Sequence, residues 1–394
     1  MKKPKPHFDP DLMAKLDQLL HQQGEYLPLE LLLAEGRLLY ADYDAWREGR
    51  IERLDEQLFG DSEGCAELLS QAAAYCHALG LKPNPCDYRQ WGSEDRLCFS
   101  TNQTLDGLFQ TGYHKDDSHP QLDLFMDNIG NNLVNEAIAA LAERNSPKAR
   151  RAVDQLLKSD PLHRQLDPLL SLLEAADQLG EQLSPAQIDL LQQQIAPLAR
   201  DLLKGRADDY LNPLWRRAAQ SQQGQAYDPA QPQRHSSWFW EQARDWPAAK
   251  QAVEQIDAWQ NWAELLIRHA RASAKLRLNP EVLLDLCQLS WCFPEQIRQC
   301  LDQLDGLFLH SWHRFDDSDC NLEHSDFPAW LVLSLPGQAN LLEPGQLQAL
   351  QPAKGFACLV RLVQQEKHKL AADLRAELKA EHPELLRCYL AHKG

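Results

Sequence analysis

A chain of 394 residues with 44% hydrophobic side chains has enough apolar material for the cores of two or three folded units. Its formal net charge of −17 repels phosphate backbones, so no direct nucleic-acid partner is expected. No apolar run is long enough to span a bilayer, and the basic stretch Met1 to Pro6 leads into Asp9, Asp11 and Lys15 instead of a signal-peptide core. The expectation is a cytoplasmic protein with no membrane partner.

Leu, Ala and Gln are abundant while Gly and β-branched residues are sparse, a mixture that favours helices over a large sheet. The chain has 10 cysteines and no CxxC pair. Cys76, Cys287, Cys300, Cys358 and Cys388 sit inside apolar helical patterns, which fits core thiols in a reducing compartment.

Helix boundaries are marked along the chain. Asp9-Pro10, Ser146-Pro147, Asp167-Pro168 and Ser184-Pro185 each place a capping side chain before a proline. Gly24, Gly36, Gly80, Gly180 and Gly205 stand where helices should stop. The first helix runs from about Asp9 to Gln22, with Leu12, Leu16, Leu19 and Leu20 as its apolar stripe. Leu27 to Phe59 reads as three short helices. Tyr40, Tyr43 and Trp46 share one face there and fit a core. The same stretch has the compact look of a DNA-binding helix pair, but its local charge is acidic. A longer helix covers about Gly64 to Leu79. Lys82 to Pro120, with Pro83, Pro85, Trp91, Cys98 and Phe99, reads as an irregular connection with room for a short hairpin.

Helices return at Asn128. One stripe is Ile129, Leu133, Ala137, Ile138 and Leu141, and the next is Ala149, Ala152, Val153, Leu156 and Leu157. Arg144, Lys148, Arg150 and Arg151 form the best basic patch, which reads as a solvated helix face. Further helices are expected at about Pro168–Leu179 and Pro185–Lys204, the second interrupted by Pro197, and around Trp215. Gln220 to Ser237 is polar and without periodicity, and reads as a mobile loop or boundary. Trp238, Trp240, Trp246, Trp259 and Trp262 follow on helical segments and are expected to build a core. Helices continue to Leu309, then come a polar stretch, the apolar run Asp326 to Gly337, and two closing helices to Leu390.

Two segments resemble the second helix of a tetratricopeptide repeat. In ARRAVDQLLKSDP, Ala149 is followed by Leu156 and Pro161; in AADLRAELKAEHP, Ala371 is followed by Leu378 and Pro383. A small residue lets a paired helix approach, and the proline closes the helix. Ala137 and Ala140 stand where the preceding helix of such a repeat carries small residues, although Leu133 replaces the family's usual Trp. The resemblance covers about a quarter of the chain. It implies an all-α, irregular helical-repeat solenoid with a small helical N-terminal region, and a groove that holds peptides. The units expected are an N-terminal helical region over 1–120, a helical-repeat region over 121–219, a loop or linker over 220–237, and a C-terminal helical region over 238–394.

Gln121-Leu122-Asp123-Leu124-Phe125 resembles the motif by which bacterial proteins dock on the replicative sliding clamp. Within it Gln121, Leu122, Leu124 and Phe125 are the candidate partner-binding residues; Gln121 could hydrogen-bond at a pocket rim, while Leu124 and Phe125 fill an apolar cleft. Pro120 biases the chain before it towards an extended conformation. Leu122, Phe125, Met126 and Ile129 also stand at helical spacing and could pack inward.

In HSWHRFDDSDCNLEH, His310, His313, Cys320 and His324 have spacings that could supply zinc ligands, with Asp316, Asp317 and Asp319 nearby. The same loop is polar enough to be merely solvated. His114, Asp116, Asp117 and His119 form a second polar cluster that a turn explains. No phosphate-binding loop, dinucleotide fingerprint or nucleophile elbow is present. The reading is therefore a non-enzymatic adaptor that binds a protein or peptide partner, with the sliding clamp as the named candidate and no cofactor. The alternative is a metal-dependent hydrolase built on His310–His324.

Overall fold

The structure, a computed structural model, describes residues 9–23, 25–93, 95–114, 125–304, 307–318, 321–335, 337, 355–364 and 371–392. The fold is all-α, and no described helix is long and apolar enough to cross a membrane. The chain divides into two compact units. Unit 1 comprises Met1–Ser221 with Gln242–Asp245, and unit 2 comprises Gln222–Glu241 with Trp246–Gly394.

Unit 1 opens with α1 (Pro10–Gln23), β1 (Glu25–Tyr26), α2 (Pro28–Ala34), α3 (Tyr40–Arg47), α4 (Ser62–Ala78), β2 (Lys82–Pro85), α5 (Gln103–Phe109) and β3 (Thr111–His114). The strands form a small antiparallel sheet in the order β1-β3-β2, with Tyr26 opposite Tyr113 and Asn84 opposite Gly112. Pro83 and Pro85 lie on an edge strand, where a missing N–H costs no central ladder bond. Gly112 is required by close approach, since an added Cβ would lie 2.9 Å from both the Tyr26 carbonyl and the Cys86 sulfur.

Leu12, Leu16 and Leu19 bury the stripe of α1 as expected, and Tyr40, Tyr43 and Trp46 are all core residues. Phe99 stacks on Phe109 at 3.7 Å between centroids, and Trp46 meets Phe109 edge-on. The Trp46 indole N–H donates to the Cys98 carbonyl at 3.0 Å, so the buried ring leaves no unsatisfied donor.

Unit 1 continues with α6 (Phe125–Ala142), α7 (Ser146–Ser159), α8 (Leu166–Gln178), α9 (Pro185–Leu190), α10 (Ala196–Leu203) and α11 (Ala207–Ser221). Successive helices lie side by side from α6 to α8, and α11 packs back on α6. Ala137 and Ala140 on α6 and Ala149, Ala152, Val153 and Leu156 on α7 are buried, whereas Leu157 is exposed. The small residues carry the close approach of the pair.

The caps differ in detail from the sequence reading. Ser184 caps α9 in a reciprocal box with Gln187, as its position before Pro185 suggests. At α7 the cap is Asn145, one residue earlier than expected, accepting from the Lys148 amide at 3.1 Å. Asp167 is already inside α8 and caps nothing. Pro197 does not break its helix. A π turn over Leu191–Ile195 joins α9 to α10, absorbing the N–H that proline cannot offer to Gln193.

Helices also end where no glycine marks them. Arg144, Arg244 and Arg277 have φ of 54°, 54° and 60°, and each stands three residues before a proline. At Arg144 and Arg277 the termination is the same. Asn145 N–H reaches the Ala140 carbonyl and Leu278 N–H that of Ser273, the six-to-one bond of a Schellman motif. The segments 144–156 and 244–256 are moreover identical at six of thirteen positions, in the order Arg, Pro, Ala, Ala, Val and Gln. This recurrence carries neither a glycine stop nor the tetratricopeptide spacing at both copies, so neither signal marks it in the sequence.

Unit 2 is built from α12 (Ser236–Gln242, through Glu241), α13 (Trp246–Glu254), α14 (Ala263–Lys275), α15 (Asn279–Cys292), α16 (Ile297–Leu301), α17 (Leu307–Asp316), α18 (Phe327–Ser334), α19 (Phe356–Gln364), α20 (Ala371–Glu381) and α21 (Pro383–Ala391). Phe327 through Leu333 are buried without exception, which is why that run is apolar all round. Phe308, Trp312, Phe315, Phe327, Trp330, Phe356 and Tyr389 form the aromatic part of its core. None of the five tryptophans expected to build a core is itself buried, although Trp259 packs against the core of unit 2. Trp238, Trp240, Trp246 and Trp259 are half-buried and Trp262 is exposed; smaller neighbours, including Phe239, Ala249, Val253 and Leu265, take the inward positions. The segment 220–237, expected as a mobile loop or boundary, begins in the last turn of α11 and ends in buried His235, Ser236 and Ser237.

Because Ala149 is fully buried where α7 lies along α6, enlarging it should separate the pair. Ala149→Leu is expected to destabilise unit 1 by about 1–3 kcal/mol, read as a lowered midpoint in urea denaturation.

Candidate functional site

Three consecutive helices of unit 2 bring charged groups to one cavity. Lys250 and Glu254 are one turn apart on α13, as are Glu281 and Asp285 on α15, so each pair shares a face. His269 projects from α14, which packs on both. Its Nδ1 lies 2.6 Å from Asp285 Oδ2, and both side chains are 5% exposed. That short contact places the proton on Nδ1 and turns Nε2 towards Glu254 Oε1 at 3.5 Å and Glu281 Oε2 at 3.9 Å. Lys250 Nζ bridges the same two carboxylates at 2.7 and 3.0 Å. The Trp259 ring lies over His269 with centroids 4.4 Å apart.

The cavity has a volume of about 370 Å³, with Trp259, Leu266 and Leu284 as its apolar wall. Burial pushes Asp285 up to about 6 against the pull of His269. Burial alone would lower the His269 imidazole, but the hydrogen bond and charge of Asp285 raise it above its ordinary value. Burial raises Glu254, yet Lys250 outweighs this and its carboxyl lies below the usual range. Among the described residues that line the cavity there is no hydroxyl or thiol, so the His–Asp pair has no side-chain nucleophile to activate. What the arrangement offers is a set of converging donor atoms: one each from Glu254, His269 and Glu281 lie within 4.8 Å of one another.

Unit 1 gathers charge differently. Asp44 on α3 is fully buried and is held by Arg144 at 3.2 Å and Arg216 at 2.5 Å. Arg47 and Arg206 both pair with Glu143, and the Tyr40 hydroxyl donates to Asp209 at 2.5 Å. The Arg144 guanidinium lies 3.2 Å from the centre of the Trp91 ring. Arg144 therefore does not belong to a solvated basic face, as its neighbours in sequence suggested. Its left-handed backbone turns it towards α3, while Arg150 pairs with Asp177 on the surface.

Of the residues singled out from sequence, Gln121, Leu122 and Leu124 lie outside the described residues. Phe125 begins α6, and its side chain lies outside them as well. His310 and His313 are exposed on α17, His324 opens a short 3-10 turn with its ring 5.2 Å from that of Trp312, and Cys320 lies outside the described residues. Among the described residues His310, His313 and His324 do not form a group with ligand atoms close enough to share an ion. Glu254, His269 and Glu281 escaped the sequence reading because no short motif joins them. Glu254 and His269 are 15 residues apart on different helices. The legible signals were the paired charges at helical spacing, Lys250 with Glu254 and Glu281 with Asp285.

Comparison of the chain with known protein families, with curated proteins and with solved structures found no match in any of the three.

Two outcomes follow from these geometries. Asp44→Ala takes the fully buried partner from two largely buried guanidinium groups, leaving Arg144 with Glu48 and Arg216 with Asp245 at 3.8 Å, and should cost roughly 3 kcal/mol, measured by equilibrium denaturation of the full chain. In unit 2, burial and the Arg268 charge hold His235 down at about 4, against an ordinary value of 6.5. The folded chain then binds fewer protons there than the unfolded chain, so this residue lowers stability as pH falls through that window. Denaturation midpoints taken at pH 7 and pH 5 should separate less in His235→Gln than in the wild type.

Proposed function

We propose that this chain is a non-enzymatic helical scaffold for protein partners and that Gln121, Leu122, Leu124 and Phe125 dock it on the bacterial sliding clamp. The observation that carries the reading is the pentapeptide QLDLF, which follows β3, ending at His114, and closes on Phe125, the first residue of α6. Its leucines and phenylalanine have the chemistry of anchors that gain affinity by leaving water, with Gln121 as the polar contact that sets register. The closely packed pair α6–α7, with alanines at the buried face, supports a repeat-like stack whose surface can hold a further peptide. The acidic net charge agrees with a partner that is protein and not nucleic acid.

The test is binding of the full chain to immobilised sliding clamp. Saturable binding is expected, weakened at least about 30-fold in Phe125→Ala or Leu124→Ala, the loss that truncation of an anchoring residue brings. Equal binding by wild type and both variants would remove the docking proposal.

A further inference from the structure

We propose that Glu254, His269 and Glu281 bind one divalent transition-metal ion, of which zinc is the best-fitting probe, and that Lys250 is the cation the ion displaces.

The first argument is distance. Zinc holds nitrogen and oxygen ligands at about 2.0–2.2 Å, which sets neighbouring donors of a tetrahedron roughly 3.4 Å apart. His269 Nε2 lies 3.5 Å from Glu254 Oε1 and 3.9 Å from Glu281 Oε2. These separations are long for charge-assisted hydrogen bonds, which run at about 2.7–2.9 Å. The two His269 pairs need only a few tenths of an ångström of closure to share an ion, and the third pair, Glu254 with Glu281, lies within 4.8 Å and closes with them. The second argument is orientation. With Asp285 accepting from Nδ1–H at 2.6 Å, Nε2 is the ring atom that faces the two carboxylates. There it serves as a hydrogen-bond donor in the ion-pair network, or as a ligand once an ion takes the place of its proton. A carboxylate behind a ligating imidazole is also the usual outer-shell partner of a bound metal.

Lys250 fits the same account. Its ammonium spans Glu254 and Glu281 at 2.7 and 3.0 Å, so it neutralises the two carboxylates and keeps them in place. It reaches neither by a rigid route, since lysine has a flexible four-carbon stem and can withdraw. The cavity, about 370 Å³, leaves space for water as a fourth ligand. Glu254 is 44% and Glu281 37% exposed, against 5% for His269, so the ion would bind at the mouth of the cavity and exchange with solvent. Its ligands come from α13, α14 and α15, so binding would also tie those three helices together.

The experiment uses the full chain, stripped with chelator and titrated with cobalt(II) and then zinc. The expected result is one cobalt per chain, with visible ligand-field bands and no thiolate charge-transfer band, displaced stoichiometrically by zinc. Zinc should also raise the melting temperature. Glu281→Gln should bind at least about tenfold more weakly, and Asp285→Asn about 10–100-fold, the usual effect of losing an outer-shell partner. Lys250→Met should bind more tightly than the wild type. Glu281 is half-exposed, so its variant keeps the test valid if a buried substitution prevents folding, which circular dichroism reports. No stoichiometric ion, a thiolate band, or wild-type affinity in Glu281→Gln would overturn the site and leave an ion-pair network only. Unchanged or weaker binding in Lys250→Met would overturn the displacement.

Discussion

Short helices have many ends, and each end leaves backbone groups that must find partners. In this protein tight three-residue turns meet that need at several places. The chain leaves one helix through an arginine in the left-handed region, bonds back into the last turn, and enters the next helix two or three residues later with proline in its first turn. Such turns force consecutive helices to lie antiparallel and close. Close packing then selects alanine at the interface, as at Ala137, Ala140 and Ala149. It also crowds the side chains at helix ends, which are charged in order to satisfy or flank those termini.

The charged clusters of both units follow from this crowding. In unit 1, Glu143 and Arg144 stand at the turn between α6 and α7 and meet Arg47 and Asp44 of α3. In unit 2, Glu254 closes α13 and Glu281 lies in the first turn of α15, on either side of His269. The two clusters differ in their balance. Asp44 is fully buried with two guanidinium partners, one at each carboxylate oxygen, a closed arrangement of opposite charges. Around His269 three carboxylates face one lysine and one imidazole, and the cavity admits solvent. The first arrangement holds elements together. The second retains donor atoms that can be offered to something else.

Much of the helical organisation could be read in advance because its causes are local. Leucine spacing located the buried stripe of α1, and Ser184-Pro185 located the start of α9. Errors arose where a local rule had two solutions. A proline inside a helix can end it or be absorbed by a π turn, and Pro197 took the second course. A left-handed helix stop favours glycine but accepts arginine when the turn bonds are made, so Arg144 and Arg277 were passed over. Tryptophans at helical spacing can fill a core or flank one, and small residues took the inward positions near Trp246 and Trp259.

The amino-acid sequence by itself determined the all-α class, the start of α9 at its capped proline, the small-residue face of α7 and the QLDLF pentapeptide, because each is written within a few consecutive residues. Tertiary structure alone decided that Asp44 meets Arg144, 100 residues away, and that Glu254, His269 and Glu281 converge. The reason is one of range. Periodicity and capping depend on neighbours along the chain, whereas the pairing of charges depends on which helix faces are laid together, and side chains on separate helices carry no common spacing from which that could be read.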